Sequence, residues 1–306
     1  MLKKQIMGTI TVSWPLIGIF YNFPVLLHSP YSQIFGGIIL GAYIWYLNYK
    51  NHAALQKGLL YVPSGSHKQM FENLIRSCNI DPTTITLKYA YTAQQIAMAM
   101  GRTIVIDPTT CTLSSDDTNA TPVVSVFTHI YSAGLNTLQK ERQLSQSQLT
   151  REAQSFFFKH ELGHIIDNYS YKKLWIVFAV ATTSTAIAIS TVKLLLPFTN
   201  SLTEQSLAVI VGLFIGMFFD LFFTYASNFF FKVAAEKRAD QFAAKYSTAQ
   251  AITEVAHFFG KEEEMIETYK DPKNLLLKLP STILSGHPTG KTREAYLLKW
   301  TEDKQS

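Results

Sequence analysis

Two histidines and a glutamate in the stretch Phe156–Asn168 (FFFKHELGHIIDN) have the types and spacing that metal-dependent hydrolysis requires. His160 and His164 stand slightly more than one helical turn apart, so on a helix both imidazoles leave the same face. That arrangement lets both rings reach one zinc ion at about 2.0–2.1 Å. Glu161 projects to the side of such an ion, where its carboxylate can take a proton from the attacking water. Leu162, Ile165 and Ile166 offer apolar surface for packing this helix, and Gly163 leaves room beside it. A catalytic zinc site still needs a third protein ligand and an open position.

Two carboxylates compete to be that ligand. Asp220 lies within an apolar run (GMFFDLFF), where an acidic residue is a functional candidate by default. It would make the centre intramembrane, yet the His160 helix carries Arg151, Glu152, Lys159 and Asp167, which do not suit lipid. Nor is there an Asn-Pro-Asp-Gly-type segment. The rival is Glu236 in AAEKRADQFAAKY, just past the last apolar run. Glu236 and Asp240 are one helical turn apart, so Glu236 can close the site while Asp240 holds a ligand imidazole by its other nitrogen. Against this stands the plain alternative of a solvated helix in which both acids pair with Lys237 or Arg238.

The elements around these residues are those of a membrane protein with a soluble part. Charged residues are 16% of the 306, against about 25% in an ordinary globular chain, while 47% are hydrophobic. Gln5–Tyr49 contains no Lys, Arg, Asp or Glu, and two more apolar runs occupy Leu174–Val192 and Leu207–Phe231. A bilayer core takes about 20 such residues per helix. The run Ile6–Leu27 lacks a small-x-small cleavage site and reads as an uncleaved first span, kinked at Pro15 and Pro24. The second span covers Gln33–Tyr49, with Gly36, Gly37 and Gly41 allowing close helix contact. Cys78 and Cys111 make no disulfide framework and fit a reducing compartment. The net charge of +5 comes largely from Lys and Arg beside the apolar runs, which excludes nucleic acid as a partner.

The soluble stretches read as a helix over Lys68–Cys78, a strand over Thr83–Tyr91 and a second strand over Ala97–Ile106. A polar loop (Thr109–Pro122) follows, then the helix Gln146–Asn168. After the last span come a short helix over Lys232–Tyr246, an amphipathic helix near Ala249–Phe259 and a mixed tail. The organisation is thus a membrane hairpin (1–50), the first part of a catalytic domain (51–173), a second hairpin (174–231) and the second catalytic part (232–306). Met98 and Met100 read as packing, and His52, His129 and His257 as structural or surface residues.

In this order, with a hydrophobic hairpin between His160-Glu161-Leu162-Gly163-His164 and Glu236-x-x-x-Asp240, the chain resembles the HtpX-type integral membrane zinc proteases, relatives of the CAAX prenyl endopeptidase. The segment AMAMGRTIVI (Ala97–Ile106) is similar to the strand that borders the active-site cleft in that family, although Ile96 stands where Asn is usual. His287-Pro288 with Arg293 resembles the family's His-Pro-x-x-x-x-Arg motif, although Gly290 departs from it. The resemblance implies a mainly α fold with a small β element, a membrane-embedded zincin of the gluzincin type with about four transmembrane helices. It also implies one Zn2+ per chain held by His160, His164 and Glu236, with Glu161 as base and His287 as a donor near the developing oxyanion. Asp240 and Arg293 would support the ligands from behind. Implied substrates are proteins or peptides, membrane proteins among them, cleaved at the cytoplasmic face of a bacterial inner membrane in quality control. Alternatives are an inactive zinc-binding scaffold and a prenyl-protein processing protease.

Lys3, Lys4, Lys50, Lys57, Lys172, Lys173, Lys232, Lys237 and Arg238 flank the span ends on one side. Turn 28–32 is uncharged and turn 197–206 carries only Glu204, which puts both termini in the cytoplasm. A cysteine placed in turn 197–206 is therefore expected to react with an impermeant thiol reagent from outside intact cells. Cys78, Cys111 and reporters near Ser306 are expected to react only after the membrane is opened. The reverse labelling pattern would invert the topology.

Overall fold

The computed structural model describes residues 32–57, 60–61, 65–89, 97–106, 148–268 and 287–305. Its elements are α1 (Ser32–Lys57), β1 (Leu60–Tyr61), α2 (Ser66–Ser77), β2 (Thr86–Tyr89), β3 (Ala97–Met100), β4 (Thr103–Ile106), α3 (Arg151–Ile166), α4 (Tyr169–Leu195), α5 (Leu202–Ser227), α6 (Val233–Lys245), α7 (Ala249–Thr268) and α8 (Gly290–Gln305). A π-helical turn, Asn228–Lys232, precedes α6. The protein is mainly helical with one small sheet. The expected first span, the polar loop 109–122, Ile96, Cys111 and His129 lie outside the described residues.

The chain divides into two compact units, Met1–Ala54 with Lys172–Ser227 and Leu55–Tyr171 with Asn228–Ser306. Two helical stretches, Tyr169–Phe198 and Leu202–Lys245, are long and apolar enough to cross a membrane, and the first unit holds most of both. The 27 residues of α4 extend about 40 Å, more than the roughly 30 Å hydrocarbon core. Phe214 (69% exposed) and Trp175 (64% exposed) are among many large apolar side chains left uncovered. Such a surface suits lipid better than water. Small residues bring the helices together: a side chain at Gly41 would strike Thr182, and one at Gly216 would strike Ala188.

The second unit is built around α3. Thr150 caps its first turn by accepting from the Ala153 amide at 3.3 Å, and Asn168, at φ 51°, ends it. Eleven of its residues are buried, from Ala153 to Ile165, so α3 is a central helix rather than a surface one. On one side Phe158 and Leu162 join Phe71 and Ile75 of α2 and Leu87, Ile104 and Ile106 of the sheet. On the other, Ala153 and Phe156 meet Ala243 and Ala244 of α6, Ile252 and Val255 of α7, and Leu297 of α8.

The sheet has the order β1-β2-β4-β3, with β2 and β4 parallel and the outer pairs antiparallel. The single strand expected over Ala97–Ile106 is instead a hairpin of β3 and β4. Gly101, at φ 66°, takes the left-handed conformation that turns the chain there. Met98 pairs with Val105 in this hairpin, a packing role as expected. The amphipathic helix runs on to Thr268, nine residues past its expected end, and the mixed tail contains α8. Cys78 is 2% exposed, so its silence toward a thiol reagent would reflect burial, and reporters near Ser306 carry that arm of the topology test.

Two lysines from different helices close the end of α6. The Lys159 ammonium donates to the Tyr246 carbonyl at 2.7 Å, and Lys304 donates to the Ala244 and Ser247 carbonyls at 2.5 and 2.7 Å. Positive charge is favourable there, where the last carbonyls of a helix lack partners. Phe158 stacks on Phe71 with ring centroids 5.2 Å apart, joining α3 to α2. Phe158→Ala is expected to destabilise this unit by about 3–5 kcal/mol, read as an earlier unfolding transition of the detergent-solubilised protein.

Candidate metal centre

The α3 helix places His160 and His164 one above the other, and α6 crosses it with Glu236 facing both. His160 Nε2 lies 3.4 Å from one Glu236 oxygen, and His164 Nε2 lies 3.5 Å from the other. The three side chains are buried and offer ligand atoms within 4.8 Å of one another. These separations are too long for good N–H···O hydrogen bonds. They are close to the edge of a tetrahedron whose corners stand about 2.0–2.1 Å from a central ion, roughly 3.3–3.4 Å. The donor set, two imidazoles and one carboxylate, suits zinc chemistry.

Gly163 makes this crossing possible. A Cβ there would stand 2.8 Å from Ala239 Cα and 3.1 Å from Phe242 Cβ, so only glycine lets α3 and α6 come this near. Ala235, Ala239 and Ala243, all buried, give α6 a correspondingly smooth face.

Glu236 is 3% exposed and Asp240 0% exposed. The solvated-helix alternative therefore does not hold. Arg238 pairs instead with Asp167 at 2.9 Å, and neither acid is left on the surface. Asp240 accepts from His160 Nδ1 at 2.7 Å. Burial would raise its carboxyl, but Arg293 and His160 outweigh burial and hold it down at about 2. Burial would likewise raise Glu236, yet the surrounding imidazoles keep it well below the usual range. Burial would lower the His160 imidazole, whereas Asp240 and Glu236 push it up to about 10. Arg293 already neutralises Asp240, so Glu236 is the buried carboxylate that a cation at this point would balance, and a metal ion can supply that charge in place of a proton.

Glu161 turns the other way, toward the sheet. Its Oε2 accepts the Ala99 amide of β3 at 2.6 Å. Burial raises its carboxyl, opposed by the two histidines and the Ala99 amide. The AMAM strand therefore borders Glu161 directly. His287 reaches Glu236, with Nδ1 3.0 Å from Oε2, and is 43% exposed at its side chain. Arg293 forks onto Asp240 and stacks over Phe259 at 3.6 Å. Gly290, the departure in the tail motif, starts α8 hard against α7, where a Cβ would meet the Phe259 carbonyl at 2.1 Å.

Asp220 lies in α5 and is not one of the clustered residues. His257 pairs with Glu294 at 3.0 Å at the surface. The contacts of Ala99 with Glu161 and of Tyr296 with Asp240 add two partners that the motifs do not name. A backbone amide leaves no signature in residue type. Tyr296 did leave one, three residues after Arg293 on what proves to be the same helix.

A mainly helical unit with a buried His–His–Glu cluster and a glutamate beside it defines a candidate metallopeptidase. The chain matches the model of peptidase family M48 over residues 123–301 and belongs to that family. Members of that family are generally zinc metallopeptidases. No curated protein and no solved structure matches the chain.

The crossing at Gly163 can be tested directly. Gly163→Ala is expected to destabilise the unit by about 1–3 kcal/mol and to weaken zinc binding at least tenfold, because the new methyl separates His164 from Glu236. Zinc titration against a chromophoric chelator, beside a thermal melt, reads both effects.

Proposed function

We propose that the protein is a membrane-bound zinc endopeptidase of the HtpX type. The observation that carries this reading is the buried cluster of His160, His164 and Glu236 with Glu161 next to it in the chain. In this reading His160, His164 and Glu236 hold one Zn2+, which supplies Lewis acidity toward the scissile carbonyl and toward water. Glu161 takes the proton of the attacking water and returns it to the leaving amine. The Ala99 amide keeps one Glu161 oxygen engaged, so the base acts through the other. Asp240 fixes the His160 tautomer by accepting its Nδ1 proton, which leaves Nε2 as the ligand atom. Arg293 anchors Asp240, and His287 supplies a donor near the centre.

The fold of this catalytic unit is read as a zincin interrupted by membrane hairpins, with four spans in all. Support comes from the two long apolar helices and from the charge-free stretch Gln5–Tyr49. α4 begins five residues after His164, and α6 follows the other long apolar helix through a single π turn. That proximity in the chain favours substrates presented at a bilayer surface. They would be membrane proteins or misfolded proteins with accessible loops, cleaved on the cytoplasmic side of a bacterial inner membrane. Basic residues at the span ends support this orientation.

Glu161→Gln is expected to abolish cleavage of an unfolded protein such as casein while about one zinc per chain is retained, because the base is not a ligand. Cleavage at the wild-type rate by this variant would refute the assigned chemistry. Glu236→Ala is expected to lose most zinc affinity and Asp220→Asn to keep it. The opposite result would move the centre into the apolar spans.

A further inference from the structure

Asp240 spends its whole hydrogen-bonding capacity on three neighbours. Its Oδ1 accepts from His160 Nδ1 at 2.7 Å and from Arg293 Nη2 at 2.5 Å. Its Oδ2 accepts from Arg293 Nε at 2.9 Å and from the Tyr296 hydroxyl. An ionised carboxylate has about four acceptor positions, so all are filled. Two donors pull on each oxygen, and removing the phenol would leave Oδ2 with one.

The two clustered histidines differ in how they are held. Among the described residues His164 Nδ1 has no hydrogen-bond partner, and its ring rests against Tyr169 at 5.0 Å and His160 at 4.7 Å. Packing alone sets its direction. His160 is instead aimed by Asp240, so any freedom in that carboxylate passes straight to the ligand atom on the opposite side of the ring. The phenol ring of Tyr296 has its own anchors, Trp300 at 4.9 Å and Lys237 at 5.7 Å. Its hydroxyl can therefore be removed without displacing the ring.

We propose that Tyr296 is a positioning residue for the metal centre: through its hydrogen bond to Asp240 Oδ2 it holds the carboxylate that aims His160. The inference rests on His160, His164 and Glu236 being a metal site, and it assigns α8 a part in metal retention through a residue outside the tail motif. Arg293 and Tyr296 are three residues apart, so one turn of α8 grips both oxygens of Asp240.

The test uses the full-length protein in detergent, stripped of metal and titrated with zinc against a chelating indicator, with cobalt substituted in parallel. Tyr296→Phe deletes only the hydroxyl, and Trp300→Phe disturbs the neighbouring packing as a control. Tyr296→Phe is expected to weaken zinc binding about tenfold and to shift the visible cobalt bands, with the melting temperature of the metal-free protein unchanged. Trp300→Phe is expected to bind zinc as the wild type does. Wild-type affinity and an unshifted cobalt spectrum in Tyr296→Phe would overturn the proposal, as would an equal loss in Trp300→Phe. Wild-type protein that binds no zinc would instead overturn the metal site itself.

Discussion

The close approach of α3 and α6 at Gly163 and Ala239 is the constraint on which the rest of the centre depends. His160 and His164 lie on one helix and Glu236 and Asp240 on the other, each pair one turn apart. Two helices bearing such pairs bring the four residues together only when their axes come within the reach of short side chains. A carboxylate has little reach, so the backbones must do the approaching. The glycine inside the HELGH sequence and the alanines at 235, 239 and 243 are what permit it.

Around that contact the structure is arranged to keep α3 from moving. Its aromatic residues are split between two cores, Phe158 toward the sheet and Phe156 toward α7 and α8. Lys159, between them in register, reaches across to the end of α6. The ligand helix is thus fixed on three sides, by the sheet, by α6 and by the α7–α8 pair. The sheet contributes more than packing. β3 is an outer strand, and its Ala99 amide points out of the ladder to meet Glu161, so that carboxylate is oriented by backbone.

Much of the centre was legible in the sequence because helical spacing is local. The i,i+4 pairs of α3 and α6 state which side chains share a face, and the order of motifs states which helices must meet. The hairpin of β3 and β4 was less legible, because the turn in AMAMGRTIVI is only Gly101-Arg102, and the φ of Gly101 rather than a run of turn residues divides it. The burial of α3 was hidden by Arg151, Glu152, Lys159 and Asp167. Lys159 is 5% exposed because the distant Tyr246 carbonyl and Ser247 hydroxyl receive it, a fact that charge counting cannot express. The acids of α6 posed the same problem in reverse, since Glu236 and Asp240 look like solvent-facing residues until their partners are in place.

Those partners arrive from far along the chain. Asp240 lies 80 positions after His160, and Arg293 a further 53. During biosynthesis the HELGH helix therefore emerges long before its counter-helix, and α8 emerges later still. A nascent chain holds two histidines and a base with nothing to complete them. The cluster and its supports are thus complete only after both long apolar helices and Arg293 have been made.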